Sequence, residues 1–483
     1  MLNIISSYGE YLSFVNAKVI RLNQYVSSFI CYKNKDTVMN TQLYLVAVLI
    51  SGLALIIFSI LKLKLHPFLA LLLSGFYVGI LMGMKPLEML DAIENGIGGT
   101  LGFLAAVIGL GTILGKMIEV SGGAERIGLT LQKIRWLSPD VIMVLIGLIC
   151  GITLFVEVGV VLLIPLAFSI AKRTKVSLLT LAIPLCTALM AVHCIVPPHP
   201  AALYVTNALG ADMGKVIIYG LLIGLFTSLF AGPVFLRMMK RQVPFKKVPE
   251  EFSSLTVRQE HELPSLFATL FTILLPIVLM LFKTLAELTI EKKTVFYTAL
   301  EVIGNPITAM LIGAFVAYYL LGIKHHQSME SLLKNTENGF MAIGNILLII
   351  GAGGAFNSIL KASGLSDGLA EILANFNTHP ILLAWLVAIV LHAAVGSATV
   401  AMMGATAIVS PLLVTYPDIS PEIIVLAIGS GAIGCTIVTD SLFWLVKQYC
   451  GATLNDIFKY YTGATFIASV LALGFTFLLS TVI

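Results

Sequence analysis

The chain has 483 residues, of which 58% are apolar and only 11% are charged. Soluble globular proteins are about 45–50% apolar and about 25% charged, so this composition excludes an ordinary soluble fold. The net charge of +4 is small and spread over loops, which gives no reason to expect nucleic-acid binding, and the six cysteines lack the paired spacing of a disulfide framework or zinc site. Apolar runs of about 20 residues recur along the chain, so we predict an all-α polytopic membrane protein.

Residues 1–41 are predicted to be an N-terminal extension outside the membrane core. They carry Lys18, Arg21, Lys33 and Lys35 and no apolar run typical of a signal peptide. The membrane pattern begins just after Met39. This favours translation from Met39, and a genuine tail is the alternative.

Ten apolar segments are predicted to cross the membrane completely. In chain order they cover residues 42–62, 66–84, 98–118, 178–208, 215–236, 264–282, 302–322, 339–360, 421–447 and 459–481. Eight of them are near the length of about 20 residues that spans the hydrocarbon core as a helix, and the two longer ones, 178–208 and 421–447, are predicted to be broken.

Two other apolar stretches, 141–171 and 380–413, are too long for one ordinary crossing and short for two. Each is interrupted in its middle by a small or polar segment, 155–159 in the first and 396–399 in the second. We predict that both are re-entrant hairpins. Such backbone is tolerated at membrane depth only where it is buried in protein or lines a wet cavity.

Loop charges orient these segments. Lys133 and Lys172 flank the first hairpin, and residues 237–263, with six Lys and Arg, are predicted to form a cytoplasmic linker. The acidic loops 85–97 and 414–422 are predicted to be external, which also places both termini outside.

The two halves of the chain resemble each other. Gly109-Leu-Gly111 corresponds to Gly351-Ala-Gly353, and Ser121-Gly122 corresponds to Ser363-Gly364, in both cases 242 residues later. We therefore predict two membrane repeats, 42–236 and 264–483, each with five spans and one re-entrant hairpin. Because five is odd, the second repeat would be inverted, and inverted repeats with interrupted helices are a transporter architecture.

Ionisable residues are rare inside these apolar segments, and each is therefore a candidate functional residue. They are Glu157, His193, His199, His392 and Asp440. His193 and His199 flank Pro197-Pro198, which removes backbone donors and breaks the span. Asp440 stands 241 residues after His199, in the equivalent span of the second half. The alternative is that these side chains only hold the breaks together, and for His392 we favour that structural role.

The hairpin tips are predicted to bind a small anion through hydroxyls and free amide groups, because half-helix N-termini carry partial positive charge. No Lys or Arg lies deep in a predicted span. The predicted substrate-binding residues are Phe155, Glu157, Gly159, His193, His199, Ser397, Thr399 and Thr439. The predicted proton-coupling residues are Asp440, Glu157 and His199.

Several motifs together resemble the bacterial gluconate permease family of proton symporters, from Met39 to the end of the chain. They are Gly111-Thr-Ile-Leu-Gly-Lys116, Ser121-Gly-Gly-Ala-Glu-Arg-Ile127, Phe155-Val-Glu-Val-Gly159, Pro197-Pro-His-Pro200, Ala211-Asp-Met-Gly-Lys215, Gly396-Ser-Ala-Thr-Val-Ala401 and Asp440-Ser-Leu-Phe-Trp444. The resemblance implies an ion-transporter fold with two re-entrant hairpins. Members of the family carry gluconate and other sugar acids, and some carry glycerate or D-serine.

The chain departs from that family pattern at two places. Ala201-Ala202 stand where Gly-Pro usually follows Pro-Pro-His-Pro. Ile437 and Thr439 stand where the family usually has His and Asn, before the late Phe-Trp. These changes remove an imidazole and an amide from the region expected to contact substrate.

The sequence thus predicts a proton-coupled symporter that imports gluconate or a related small hydroxylated carboxylate across the bacterial cytoplasmic membrane, without cofactor or metal. The alternatives are a D-serine or glycerate symporter of the same family, and an uncoupled facilitator. A membrane metalloenzyme is disfavoured, because the two histidines around the prolines lack the tight helical spacing of H-E-x-x-H. Expected partners are a small organic anion, protons and the bilayer, and the sequence is compatible with a homo-oligomer.

Overall fold

The computed structural model describes residues 37–134, 136–239, 260–290, 294–366, 368 and 379–483. Every regular element in these ranges is a helix. The predicted extension 1–41 and linker 237–263 therefore lie largely outside the described residues. Their assignment as separate segments stays a prediction.

The first half of the chain forms nine helices in the described residues. They are α1 (Thr37–Leu61), α2 (Pro67–Leu81), α3 (Pro86–Ser121), α4 (Gly123–Leu131), α5 (Pro139–Gly151), α6 (Val156–Thr174), α7 (Leu178–Ile195), α8 (Pro200–Ala208) and α9 (Met213–Leu229), which continues to Met238 through a π-helical turn.

The second half forms a similar series. It contains α10 (Leu266–Thr289), α11 (Val295–Ile303), α12 (Pro306–Ala317), α13 (Met329–Ala362), α14 (Pro380–Val395), α15 (Ala398–Val409), α16 (Pro421–Ile433), α17 (Ser441–Tyr449) and α18 (Gly463–Ser480), which a π-helical turn at Ile457–Thr462 precedes.

Proline sets many of these helix starts, because its missing N–H is one that the first helical turn leaves unpaired anyway. Pro139 begins α5, and Pro380 begins the corresponding helix α14 of the second half. Pro200 begins α8 directly after the Pro197-Pro198 break, where the peptide bond is cis. The predicted break in the span 178–208 is therefore confirmed, since α7 ends at Ile195.

By length and hydropathy, nine helices among the described residues can cross a membrane, one fewer than the ten predicted spans. By this criterion the predicted span 66–84 is wrong as a full crossing, and 421–447 is divided into α16 and α17, the break expected from its equivalence to 178–208. α2 has 15 residues and α16 has 13. At 1.5 Å per residue, neither reaches across about 30 Å of hydrocarbon. Conversely, Ala398–Thr415, predicted as a hairpin arm, is long and apolar enough to cross.

The packing between the halves is reciprocal. α2 packs on α13, and its counterpart α12 packs on α3; likewise α15 packs on α8, and α6 packs on α17. The long helices α3 and α13 also pack along each other. This is the pattern expected of two repeats related by a twofold axis. Their orientation relative to a membrane stays a prediction.

Both predicted hairpins consist of two packed helical arms. A short break at 152–155 separates α5 from α6, and residues 396–397 separate α14 from α15. The first arms pack against the central helices, α5 on α7 and α14 on α16. The most apolar stretch of the span 178–208 is 94% buried, against 28% for that of α1, so the break within this span lies in the protein core.

Candidate functional site

Three helices begin beside one another at the centre of the molecule. α6 starts after Phe155, α15 after Ser397 and α17 after Asp440. The Ser397 hydroxyl accepts a hydrogen bond from the Val400 amide at 3.4 Å, and Asp440 Oδ1 accepts one from the Leu442 amide at 2.7 Å. The first amides of a helix have no partner within it, so this arrangement concentrates hydrogen-bond donors and partial positive charge.

These helix starts line a cavity of about 190 Å³. Each start contributes a short run of residues: 155–157, 396–399 and 440–442. α7 adds Met190 and His193, and α13 adds Asn345, Ile346 and Ile349. The volume is below the roughly 300–1,000 Å³ of pockets for drug-sized ligands, so the cavity suits a small metabolite.

The charges in this cavity are unusual for an anion site. Its lining contains two carboxylates, Glu157 and Asp440, and no Lys or Arg among the described residues. The positive potential comes from the three helix starts. The hydroxyls of Ser397, Thr399 and Ser441, together with His193 and Asn345, complete the polar lining. The cavity can therefore bind both a negative and a positive group.

Gly396 is required at the second hairpin tip. Its φ is +71°, in the left-handed region that glycine tolerates best. A Cβ at this position would lie 2.1 Å from the carbonyl oxygen of Thr439. The close approach brings the tip of α14–α15 against the break before α17, and so places Ser397 and Thr399 beside Asp440.

Asp440 is also paired with a histidine. The Nε2 atom of His392, on α14, lies 3.0 Å from Asp440 Oδ2, and the His392 side chain is completely buried. The structural role that the sequence favours for His392 thus has a specific form, a hydrogen bond to a carboxylate that lines the cavity. The two residues are 48 positions apart, and nothing in the sequence pattern pairs them.

A second cavity, of about 540 Å³, lies beside the first. Phe155 and Glu157 line both cavities, so they stand between them. The larger cavity also contains Lys116, whose Nζ lies 2.6 Å from Glu119 Oε1, and Asn338. Lys116 lies two residues before the end of the predicted span 98–118, and the sequence does not predict its place on a cavity.

Six predicted site residues share the smaller cavity: Phe155, Glu157, His193, Ser397, Thr399 and Asp440. Gly159, His199 and Thr439 do not line it. A Cβ on Gly159 would meet Leu189 at 2.9 Å, so Gly159 faces α7. Thr439 Oγ1 donates to the Ala393 carbonyl at 3.1 Å.

His199 occupies a neighbouring position. Its Nε2 is hydrogen-bonded to the carbonyl oxygen of Gly151, and its ring centroid lies 5.2 Å from that of His193. It lines a narrow cleft of about 30 Å³ together with Phe155. His199 therefore contacts the candidate site through its neighbours and not through the cavity itself.

Sequence reasoning missed Met190, Asn345 and Ser441 as lining residues. Asn345 could have been predicted from the sequence, because it is a polar amide within an apolar stretch of α13. Met190 had none, because an apolar side chain in a buried helix gives no indication of which side it faces.

Residues 43–482 match the model of the GntP family permeases. The chain belongs to this family. A GntP permease is a membrane transporter and not an enzyme, which confirms the predicted class and the multi-pass membrane location. The resemblance to gluconate permeases is confirmed at the level of the family.

Among its relatives, the chain is 73% identical to the D-serine transporter DsdX of Escherichia coli K12, covering 92% of this chain and all of the relative. It is 39% identical to a gluconate permease of Pseudomonas aeruginosa, covering 89% of this chain and 96% of the relative. In structure it resembles the YdaH transporter of Alcanivorax borkumensis, with a TM-score of 0.53, 17% identity, and coverage of 80% and 86%. At that identity the likeness concerns the fold alone.

Proposed function

We propose that this GntP permease transports D-serine, by symport with protons. The observation that carries the proposal is the 73% identity to a D-serine transporter, over 92% of this chain and all of that relative. Identity to a gluconate permease is 39%. The predicted alternative substrate is therefore preferred over gluconate.

The chemistry of the smaller cavity supports an amino acid. D-serine carries a carboxylate, an ammonium group and a hydroxyl, whereas gluconate carries a carboxylate and hydroxyls only. Glu157 and Asp440 would repel a plain anion but attract an ammonium group. The starts of α6 and α15 offer amides to the substrate carboxylate, and Ser397 and Thr399 offer hydroxyls to the substrate hydroxyl.

We propose that Asp440 and His199 include the proton carrier, with Glu157 as the rival. An unpaired charge within the membrane is costly, so a carrier should cross in a neutral form. Protonation of a carboxylate achieves this. If protonation strengthens substrate binding, substrate binding must promote protonation by the same factor.

The two similar helix series support a transport geometry of two inverted repeats in the bacterial cytoplasmic membrane, with substrate bound where their broken helices meet. In this arrangement α5–α6 and α14–α15 are the re-entrant hairpins. The cavity at their tips is the substrate site.

Uptake into proteoliposomes tests the substrate and the coupling together. Labelled D-serine, glycerate and gluconate are supplied separately, with and without an inwardly directed proton gradient. We expect D-serine to accumulate only with the gradient. Accumulation of gluconate without uptake of D-serine would overturn the substrate assignment. Equilibration of D-serine without accumulation under the gradient would instead identify a facilitator.

The proton carrier is tested with Asp440→Asn and, as the matched control, Glu157→Gln. Asp440→Asn mimics the protonated acid, so it should still exchange internal for external D-serine but lose accumulation driven by the gradient. If Asp440→Asn still accumulates substrate and Glu157→Gln does not, the role belongs to Glu157.

A further inference from the structure

Asp440 has a buried partner, His392, that the transport scheme above does not use. His392 lies on α14 and does not line either cavity, whereas Asp440 lines the smaller one. Asp440 presents Oδ2 to His392 Nε2 at 3.0 Å and Oδ1 to the Leu442 amide at 2.7 Å. Both carboxylate oxygens are thus fixed by protein donors, and the side chain has one defined orientation.

The equivalent contact in the first half of the chain pairs a histidine with a backbone carbonyl instead of a carboxylate. Positions 151 and 199 precede 392 and 440 by 241 residues in both cases. There His199, at the start of α8, is bonded to the backbone carbonyl of Gly151. In each repeat the contact joins the end of the first hairpin arm, α5 or α14, to the start of the helix that follows the chain break, α8 or α17. Only the second repeat places a carboxylate in it.

The surroundings of His392 determine which tautomer it adopts. Its Nδ1 atom is buried and has no hydrogen-bond partner among the described residues. A proton on Nδ1 would be a buried donor without an acceptor, which is costly. A ring with its proton on Nε2 instead donates to Asp440 and leaves only a lone pair unpaired.

We propose that His392 is a positioning residue: it stays neutral, donates from Nε2 to Asp440, and fixes the orientation of that carboxyl group at the cavity. This inference rests on the proposed transport of D-serine. It assigns His392 no share in carrying the proton. The role does not require the ring to touch substrate.

Other titratable groups interact electrostatically with the pair, so the experiment must distinguish their effect on transport from that of His392. They are Glu157 on α6, His193 and Cys194 on α7, and Tyr461 before α18. A variant that cannot titrate at 392 but keeps the donor isolates the contribution of the histidine.

The chain allows a matched pair of variants at this position. In His392→Gln the side-chain amide nitrogen reaches the place of Nε2 and cannot take up a proton. In His392→Asn the amide lies nearer the backbone, at the place of Nδ1, and the donor to Asp440 is lost. Membrane expression and melting temperature with and without D-serine establish that each variant folds.

We expect His392→Gln to keep a KM for D-serine within about twofold of the parent and to keep the pH profile of uptake. We expect His392→Asn to raise KM by about tenfold or more, since hydrogen bonds to charged groups are among the stronger ones. The pH dependence of accumulation should not move in His392→Gln. Loss of gradient-driven accumulation in His392→Gln, with exchange intact, would make His392 a proton carrier and overturn the proposal.

A double-mutant cycle with Asp440→Asn tests whether His392 acts through Asp440. If it does, adding His392→Asn to Asp440→Asn should leave KM unchanged. Equal rises in KM in the two backgrounds would mean that the histidine acts on the fold alone. Failure of the parent protein to take up D-serine would refute the proposed function instead, so the two failures are distinguishable.

Discussion

Substitution of Gly396 by alanine should separate two physical penalties at the second hairpin tip. The backbone there has φ of +71°, and a non-glycine residue in the left-handed region is destabilised by about 1–2 kcal/mol. The added Cβ would also lie 2.1 Å from the Thr439 carbonyl oxygen and 2.7 Å from its Cβ. Overpacking of this kind destabilises by about 1–3 kcal/mol. We therefore expect Gly396→Ala to lower stability by about 2–5 kcal/mol in total.

Gly364→Ala is the matched control for the backbone penalty. Gly364 has φ of +73°, but a Cβ there would meet nothing within 4 Å among the described residues, so only about 1–2 kcal/mol should be lost. Gly102→Ala, in the middle of α3 and also without a neighbour, should lose nothing. The assay is thermal unfolding in detergent together with D-serine uptake. Equal melting temperatures for Gly396→Ala and Gly364→Ala would refute the close approach of the hairpin tip to Thr439.

Three other predictions address the substrate site, the topology and the loops. Ser397→Ala combined with Thr399→Val should weaken D-serine binding by about 0.5–1.5 kcal/mol for each hydroxyl bond lost, and an unchanged KM would remove the second tip from the site. The melting temperature should fall only slightly, because Ser397 also caps α15 through its bond to the Val400 amide. In a cysteine-free background, cysteine at Lys172 should be shielded from an impermeant external reagent and cysteine at Asp418 should react, whereas external labelling at 172 would contradict the inverted repeats. The hydrogen bond from Lys133, together with the charges of Lys133 and Arg126, holds the pKa of Glu260 below its ordinary value of 4.5. Since a lowered pKa stabilises the fold above that value, Glu260→Gln should reduce the melting temperature at pH 7, by a difference that shrinks as the pH falls below about 4.5; a difference independent of pH would exclude the ion pairs as its cause.

Much of the fold could be predicted because membrane helices carry strong local signals. Prolines and glycines marked the breaks near Pro197 and Gly396, and the offset between halves reappears in the two helix series. The lengths of the membrane spans were harder to predict from the sequence. The apolar run near α2 extends beyond the helix, which begins after the cap at His66 and ends at Leu81. Hydropathy cannot distinguish apolar residues inside a helix from apolar residues in the turn after it.

The candidate site could be predicted in part. The tip 155–159 was treated as a unit, but α6 begins at Val156, and a helix turns about 100° per residue. Glu157 therefore faces the cavities while Gly159, two residues later, faces Leu189. The bond between His392 and Asp440 could not be predicted, because it depends on how two distant elements pack.

The near-complete burial of α7 has a consequence for how the protein is made. Its neighbour α16 begins at Pro421, more than 200 residues after α7 ends. During synthesis the face of α7 that packs on α16 is therefore not yet covered by that helix, while α5 and α9 pack against other parts of α7. The apolar side chains of α7 are compatible with lipid during this interval, whereas a helix that was always enclosed by protein could tolerate more polar residues. We expect polar substitutions on α7 to impair membrane insertion of the growing chain more than they impair the finished molecule.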